Sequence, residues 1–404
     1  MARRTRRKLE GKRSKAKVEV NPLGLYVHVP FCSAICNYCN FNRGLFDAGL
    51  KASYVEALLT EIRRPRLDSC ATHLFSATRP AADTIYFGGG TPSLLEPDEI
   101  ARIIDTCVQR FDVAADREVT LEANPETVTS TRLAAFRAAG VTRLSFGVQS
   151  FRDDELRRLS RLHSAERARA AVAEARAAGF DNVSLDLMMW LPQQRVEEWL
   201  ESVDEAIALG PEHLSLYLLE VYPNAPLKDE MARARWSQGP DEDAAVMYLT
   251  AMERLEAAGY EQYEISNVAR PGRRSRHNLK YWTDGEWLGF GCGAHSTHHG
   301  VRWKNAAATD EYISRIRRWE PTAVDVRRLS AQERLGDALF TGLRLTNGVN
   351  IDVIRERYGV DVWQRYGRDL EPFLDAGVLR RDGMRLWLPR PGMLLANEVM
   401  AVFV

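Results

Sequence analysis

The sequence predicts an α/β protein: a partial (β/α)6 barrel, TIM-like but short of closure, followed by a small C-terminal helical, winged-helix-like domain. Three observations carry that expectation. β-rich runs alternate with helical patterns through the first half of the chain, the alternation stops near Leu218, and short helices with a hairpin begin near Leu329. Apolar strands alternating with helices read as a covered parallel sheet, with a doubly wound open sheet as the rival arrangement.

The predicted strands are Leu25–Val29, Thr84–Phe87, Val119–Ala123, Arg143–Val148, Val183–Leu187 and Leu214–Leu218. Helical patterns lie between them at Ala52–Arg63, Pro97–Arg110, Thr131–Ala138, Asp153–Ala178 and Val196–Ala208, with a further helix at Asp241–Ala258. A Gly-, His- and aromatic-rich stretch, Tyr263–Trp303, follows. Ala331–Thr341, Asp352–Tyr358 and Trp363–Ala376 then read as short helices, and Val378–Arg380 with Arg385–Leu388 as a hairpin. These patterns divide the chain into a basic disordered tail (1–20), a barrel core (21–250), a His- and aromatic-rich extension (251–320) and a C-terminal domain (321–404).

A chain of 404 residues can bury a sizeable core without disulfide staples. Its formal net charge is zero, so no nucleic-acid partner is expected. The zero hides a basic start: Arg3, Arg4, Arg6, Arg7, Lys8, Lys12, Arg13, Lys15 and Lys17 face only Glu10. No apolar stretch follows, which excludes a secretory signal, and no run approaches the ~18 apolar residues of a membrane span. The segment reads as a solvated tail, with peripheral contact to an anionic membrane or an acidic partner as the sharper alternative. Three cysteines crowd together (Cys32, Cys36, Cys39) and three are scattered (Cys70, Cys107, Cys292). That is a poor disulfide framework; it fits a metal site in a reduced, cytoplasmic compartment. Cys70 and Cys107 sit in helical patterns and read as buried small hydrophobes.

The crowded cysteines follow the first strand in a C-x3-C-x2-C pattern, Cys32-Ser33-Ala34-Ile35-Cys36-Asn37-Tyr38-Cys39. Three soft thiolates on one loop suit iron–sulfur or zinc. A closed zinc site wants four ligands, and none lies at normal spacing downstream. His28 could serve only with strain. Three thiolates suit a 4Fe–4S cubane with one iron left open to a chelating ligand such as the amino and carboxylate groups of S-adenosylmethionine (SAM).

That segment, with Tyr26-Val27-His28-Val29-Pro30-Phe31 before it, resembles the radical-SAM superfamily, and within it the branch of coproporphyrinogen dehydrogenases and HemW-type heme chaperones. The resemblance spans roughly residues 24–400 and implies a cluster on Cys32, Cys36 and Cys39 with SAM on its open iron. In such a site SAM is cleaved reductively to a 5′-deoxyadenosyl radical, chemistry that belongs to the cofactor. Tyr26 and Tyr38 match family residues near SAM. The strand and glycines Thr84–Pro92 match the contact to the SAM amino group, through Gly89, Gly90 and Thr91; glycine permits close backbone approach. Glu122 ends the third strand and offers acceptors to a ribose or an ammonium. Gln149, Arg161 and Asp186 match residues that touch a second SAM in the dehydrogenases. Trp190 and Gln193 stand where the family carries glycines, and the bulk of Trp190 is expected either to narrow the site or to stack on a ligand.

Two features separate the functions within the branch. The dehydrogenases carry a further cysteine two residues after the third, where this chain has Phe41. The segments Gln262–Asn267, Arg276-His277-Asn278-Leu279-Lys280-Tyr281-Trp282 and Gly289–Ser296 match the chaperones instead. The resemblance therefore implies a protein that binds heme and passes it to acceptor proteins, with oxygen-independent coproporphyrinogen oxidation in porphyrin biosynthesis as the alternative. Residue chemistry alone favours a hydrogen-bonded His–Asn turn among core aromatics for the second segment. The resemblance reverses that preference and makes His277 the first candidate heme contact. His295, His298 and His299 form a second, weaker cluster.

Overall fold

Six parallel strands form the centre of a twelve-stranded sheet: β1 (Leu23–Val29), β2 (Ala81–Gly89), β3 (Asp112–Ala123), β4 (Arg143–Gln149), β5 (Val183–Met189) and β6 (His213–Leu218). Each pairs in parallel with the next in sequence order. This is the expected partial barrel. The structure, a computed structural model, describes residues 21–63 and 79–404. The basic tail and Cys70 lie outside the described residues.

The strands are not the continuous apolar runs of a doubly covered sheet. Leu25, Val27, Val29, Ile85, Phe87, Leu121, Phe146 and Leu185 are buried against the helices. The positions between them are polar or aromatic: Tyr26, His28, Thr84, Tyr86, Thr120, Glu122, Ser145, Ser184 and Asp186. Period-two alternation puts these on the opposite face, inside the barrel. The lumen is thus a polar chamber, and only the outer face is core.

Helices Ala48–Arg63, Pro97–Arg110, Ser130–Ala138, Ala165–Ala177 and Val196–Leu209 cover that outer face. Pro97–Arg110 illustrates why they form. Proline occupies the first turn, Asp98 and Glu99 face the positive helix end, and Ile100, Ile103, Ile104 and Cys107 recur at helical spacing and are buried. Cys107 is thus the small core hydrophobe expected of it.

The helix expected over Asp153–Ala178 is two helices, Asp153–Arg158 and Ala165–Ala177. Ser160 adopts a left-handed φ of 53°, and the Ser164 side chain caps the second helix by accepting from the Arg167 amide at 3.2 Å. The break leaves Arg161 on the connecting turn, free to reach into the lumen.

The barrel does not close because other strands take both edges. β7 (Glu261–Gln262) and β8 (Asn267–Ala269) extend the sheet beyond β6, with β8 antiparallel to it. β9 (Trp287–Phe290) runs parallel to β1, followed outward by β10 (His295–His298), β11 (Val301–Asn305) and β12 (Ala323–Arg328). Buried Glu61 pins this extension to the first helix. Its carboxylate accepts from the Gly291 amide at 2.8 Å, Asn305 Nδ2 at 2.7 Å, Tyr312 OH at 2.8 Å and Thr322 Oγ1 at 3.0 Å. The C-terminal part packs helices Ala331–Gly342, Ile351–Tyr358 and Val362–Asp375 with the hairpin Arg380–Asp382/Arg385–Trp387 as its wing. Among the described residues, no helix is long and apolar enough to cross a membrane.

Candidate functional site

A cavity of ≈ 510 Å³ opens at the C-terminal ends of the barrel strands. Every residue anticipated at the cluster and SAM sites lines it: Tyr26, Cys32, Cys36, Tyr38, Cys39, Gly89, Gly90, Thr91, Glu122, Gln149, Arg161 and Asp186. Barrel folds gather chemistry at this face because the loops after the strands converge there.

The cysteine loop is held from both sides. The Gly90 amide donates to Val29 O and the Thr91 amide to Phe31 O, each at 2.7 Å. A methyl on Gly90 would lie 2.7 Å from Phe31 O and 3.0 Å from Cys32 Sγ, so only glycine fits. On the far side Asn37 donates to Arg158 O at 2.8 Å and to Glu230 at 2.5 Å, and its carbonyl accepts from Leu227 at 3.0 Å. Arg161 crosses the floor: it donates to Asn124 Oδ1 and Gly147 O at 2.7 Å each, and to Cys36 Sγ at 3.4 Å. Asn124, which also donates to Thr91 Oγ1 at 3.2 Å, was not anticipated. Neither were Tyr86, whose hydroxyl donates to Glu122 at 2.7 Å, nor Tyr217. Their signal in the sequence is the polar half of the strand alternation.

The donor set fits a cubane better than a single ion. Zinc held at ~2.3 Å by tetrahedral thiolates brings the sulfurs to about 3.8 Å from one another. Among the described residues only Glu286, His298 and His299 gather three ligand atoms within 4.8 Å of one another; the three thiols stand wider. His28 is no fourth ligand: Nε2 is bonded to Asn42 O at 2.7 Å and Nδ1 to Tyr26 OH at 3.2 Å. Burial raises the Cys32 and Cys39 thiols, so iron binding must displace their protons.

The carboxyls opposite the thiols are tuned by the same enclosure. Burial pushes Glu122 up to about 7, with the nearby Asp186 charge adding to the rise, and burial pushes Asp186 up to about 6. Glu122 also accepts from the Gly89 amide at 3.2 Å. Gln149 takes a left-handed φ of 68° at an irregularity in the β4–β5 register, which turns it to the chamber with Oε1 buried and unpartnered. A buried acceptor without a donor is what a site for a polar ligand presents.

Trp190 and Gln193 both adopt a left-handed φ, 61° and 62°, the region that favours glycine. Trp190 neither narrows the cavity nor lines it. Its Nε1 donates to Gly239 O at 3.0 Å and its carbonyl accepts from Gln238 at 2.9 Å, so the side chain clamps the segment after helix Pro226–Ala234.

His277 lies elsewhere than its candidacy required. It is buried inside the barrel and lines neither this cavity nor the next. Nδ1 is bonded to Thr84 Oγ1 at 2.8 Å and Nε2 to Tyr281 OH at 2.9 Å, and the ring stacks on Tyr86 at 5.0 Å. Burial and Lys280 lower it to about 3, so it stays neutral. With both nitrogens engaged, direct ligation of heme iron is not what this geometry offers. Its neighbours Asn278, Tyr281 and Trp282 instead line a second chamber of ≈ 490 Å³. His298 Nδ1 donates to Glu286 at 2.5 Å, and it and exposed His295 and His299 border neither chamber.

Fold and site together define a radical-SAM protein. The superfamily's model matches residues 26–206, and the model described as the HemN C-terminal domain matches residues 329–395. Membership implies a 4Fe–4S cluster and SAM. Within the superfamily the chain belongs to the family of the proteins named heme chaperone HemW. It is 34% identical over 380 residues to the one from Bacillus subtilis, covering 94% of this chain and 98% of that one. It is 36% identical over 379 residues to the one from Mycobacterium tuberculosis H37Rv, covering 94% of each. The solved structure of coproporphyrinogen III oxidase (HemN) from Escherichia coli superposes with a TM-score of 0.82 at 23% identity, covering 96% of this chain and 91% of that one, a likeness of fold.

Proposed function

We propose that this chain binds heme and delivers it to acceptor proteins, with a 4Fe–4S cluster on Cys32, Cys36 and Cys39 and SAM beside it. The observation that carries the cluster and SAM is the joint lining of one chamber by three thiols, a glycine loop and two carboxyls with raised affinity for protons. The full-length similarity to proteins named heme chaperones supports the cargo. When bound, cluster and SAM supply one-electron cleavage of a sulfonium bond. The chain's own part is positioning. Gly89 and Gly90 admit the ligand against the backbone, Glu122 and Asp186 accept from its donors, Gln149 and Arg161 fix its polar edge, and Tyr26 and Tyr38 wall it from water. The reading places the chain in the reducing cytosol, in keeping with five free cysteines among the described residues.

Exposed Phe41 in place of a further thiol argues against coproporphyrinogen oxidation. Heme titration of anaerobically reconstituted protein, with product analysis of the same sample given SAM, reductant and coproporphyrinogen III, tests both. Stoichiometric heme binding without protoporphyrinogen formation is expected. Turnover of coproporphyrinogen would overturn the chaperone reading.

A further inference from the structure

The second chamber is built like a binding site, and the function so far has not used it. At ≈ 490 Å³ it falls within the ~300–1,000 Å³ of small-molecule sites. It shares Tyr26, Glu122, Tyr217, Leu218 and Glu220 with the cluster chamber, so the two adjoin through a common wall. Its far side is the seam between barrel and C-terminal domain, where Arg344 follows helix Ala331–Gly342. Arg344 NH2 donates to Glu264 Oε2 at 3.1 Å, and the guanidinium lies 4.5 Å over the Trp282 ring.

Three residues of this lining carry buried polar atoms with no partner: Arg344 Nε, Trp282 Nε1 and Asn267 Oδ1. Ion-paired arginines elsewhere in the fold, Arg132 and Arg152 among them, also leave a buried Nε without an acceptor, so the distinguishing donor at this seam is the indole N–H of Trp282 beneath the guanidinium, buried and unpartnered. Glu264 accepts from the Ser266 amide at 3.0 Å, from Asn267 Nδ2 and from Arg344 through NH2, and bonds neither Arg344 Nε nor Trp282 Nε1. Arginine carries five N–H donors in a planar fork that matches a carboxylate. Two vacant donors beside a wall of Tyr26, Tyr86, Tyr281 and Trp282 ask for a flat aromatic ligand with an acidic edge.

We infer that this chamber holds a propionate of the heme, with Arg344 and Trp282 Nε1 as its donors. The inference rests on the heme-binding reading and names the subsite within it. It moves the cargo's recognition from His277 to the domain seam and puts the cargo against the wall shared with the cluster chamber.

The test is anaerobic titration of the reconstituted protein with heme and with heme dimethyl ester. A charge-assisted hydrogen bond is worth about 1.5–3 kcal/mol, so Arg344→Gln should weaken heme binding about 10- to 100-fold. Arg344→Lys keeps the charge opposite Glu264 but loses the fork, and should fall between. Trp282→Phe keeps the ring and should cost roughly 5-fold. The ester should bind the unaltered protein as weakly as heme binds Arg344→Gln. Far-UV circular dichroism and iron content check that each variant is folded and loaded. Equal heme affinity in Arg344→Gln and Trp282→Phe, or an ester that binds as tightly as heme, would overturn the subsite while leaving heme binding intact. An unaltered protein that takes up no heme would sink both readings.

Discussion

Replacing Gly90 by alanine should empty the cluster site of an otherwise folded barrel. The added methyl would sit 2.7 Å from Phe31 O, 2.9 Å from Val29 O and 3.0 Å from Cys32 Sγ. Two of those atoms are the carbonyls that anchor the glycine loop, through the Gly90 and Thr91 amides. The backbone cannot yield to one contact without breaking the hydrogen bond beside it. Two lost hydrogen bonds cost about 2 kcal/mol and overpacking about 1–3 kcal/mol, so the formed site is disfavoured by about 3–5 kcal/mol. That lowers the population of the cluster-ready loop by about 10²–10⁴-fold. The loss is local, because the methyl meets two backbone carbonyls and a thiol at the strand end rather than core side chains. The assay is iron and sulfide content after anaerobic reconstitution, with circular dichroism for the fold. Gly179→Ala is the control: its φ is +84° and nothing lies within 4 Å, so only the left-handed penalty of about 1–2 kcal/mol applies. A Gly90→Ala protein that carries a full cluster and cleaves SAM at the normal rate would refute the reasoning.

Glu122, held near 7 by burial, should make SAM binding depend on pH, because the ligand's donors need the ionised form. Affinity should fall as pH drops below about 7, and Glu122→Gln should flatten the profile in calorimetric titrations. In ligand-free protein the sign is opposite: protonated Glu122 is favoured by the fold, so its stabilisation is complete below the unfolded value and is lost as pH rises through about 7. Thermal melts from pH 5.5 to 8 should show that loss without SAM and not with it. His277→Ala should cost about 2–5 kcal/mol in denaturant unfolding, since it opens a cavity and strips Thr84 and Tyr281 of partners. With His277 neutral in the fold to about pH 3, its contribution should decline as pH falls below the unfolded value near 6.5, by up to about 1.4 kcal/mol per pH unit. Gln193→Gly should stabilise by about 1 kcal/mol, because it relieves a φ of 62° at an exposed residue whose side-chain bonds to Ser237 are 3.4 Å long. An unmoved denaturation midpoint would show that the turn is unstrained.

Legibility followed the range of the forces involved. The six strands were readable because β-rich runs and helix patterns are local, and Pro97–Arg110 was found to the residue because proline, acidic first turn and apolar spacing coincide. The break at Ser160 was missed because a left-handed serine has no strong sequence mark, and it decides where Arg161 points. Helix Arg276–Trp282 and strands β9 and β10 lie within what the sequence shows only as an aromatic-rich stretch, and β11 and β12, which run past and beyond its end, carry no pattern of their own, since β9 depends on pairing with the distant β1 and the others stack outward from it.

By itself the sequence determined the donor chemistry: three thiols on one short loop after a strand, glycines after the next, and a carboxylate at the end of the third. Those are covalent facts of order and spacing. Which polar groups share a chamber, and which are spent on one another, was decided only in three dimensions. His277 looked like a ligand until Thr84 and Tyr281 claimed its nitrogens. Arg344 carried no mark until the seam between barrel and C-terminal domain set it beside Trp282 with a donor unused. Hydrogen-bond satisfaction depends on contacts between residues up to hundreds of positions apart, and no local pattern records it.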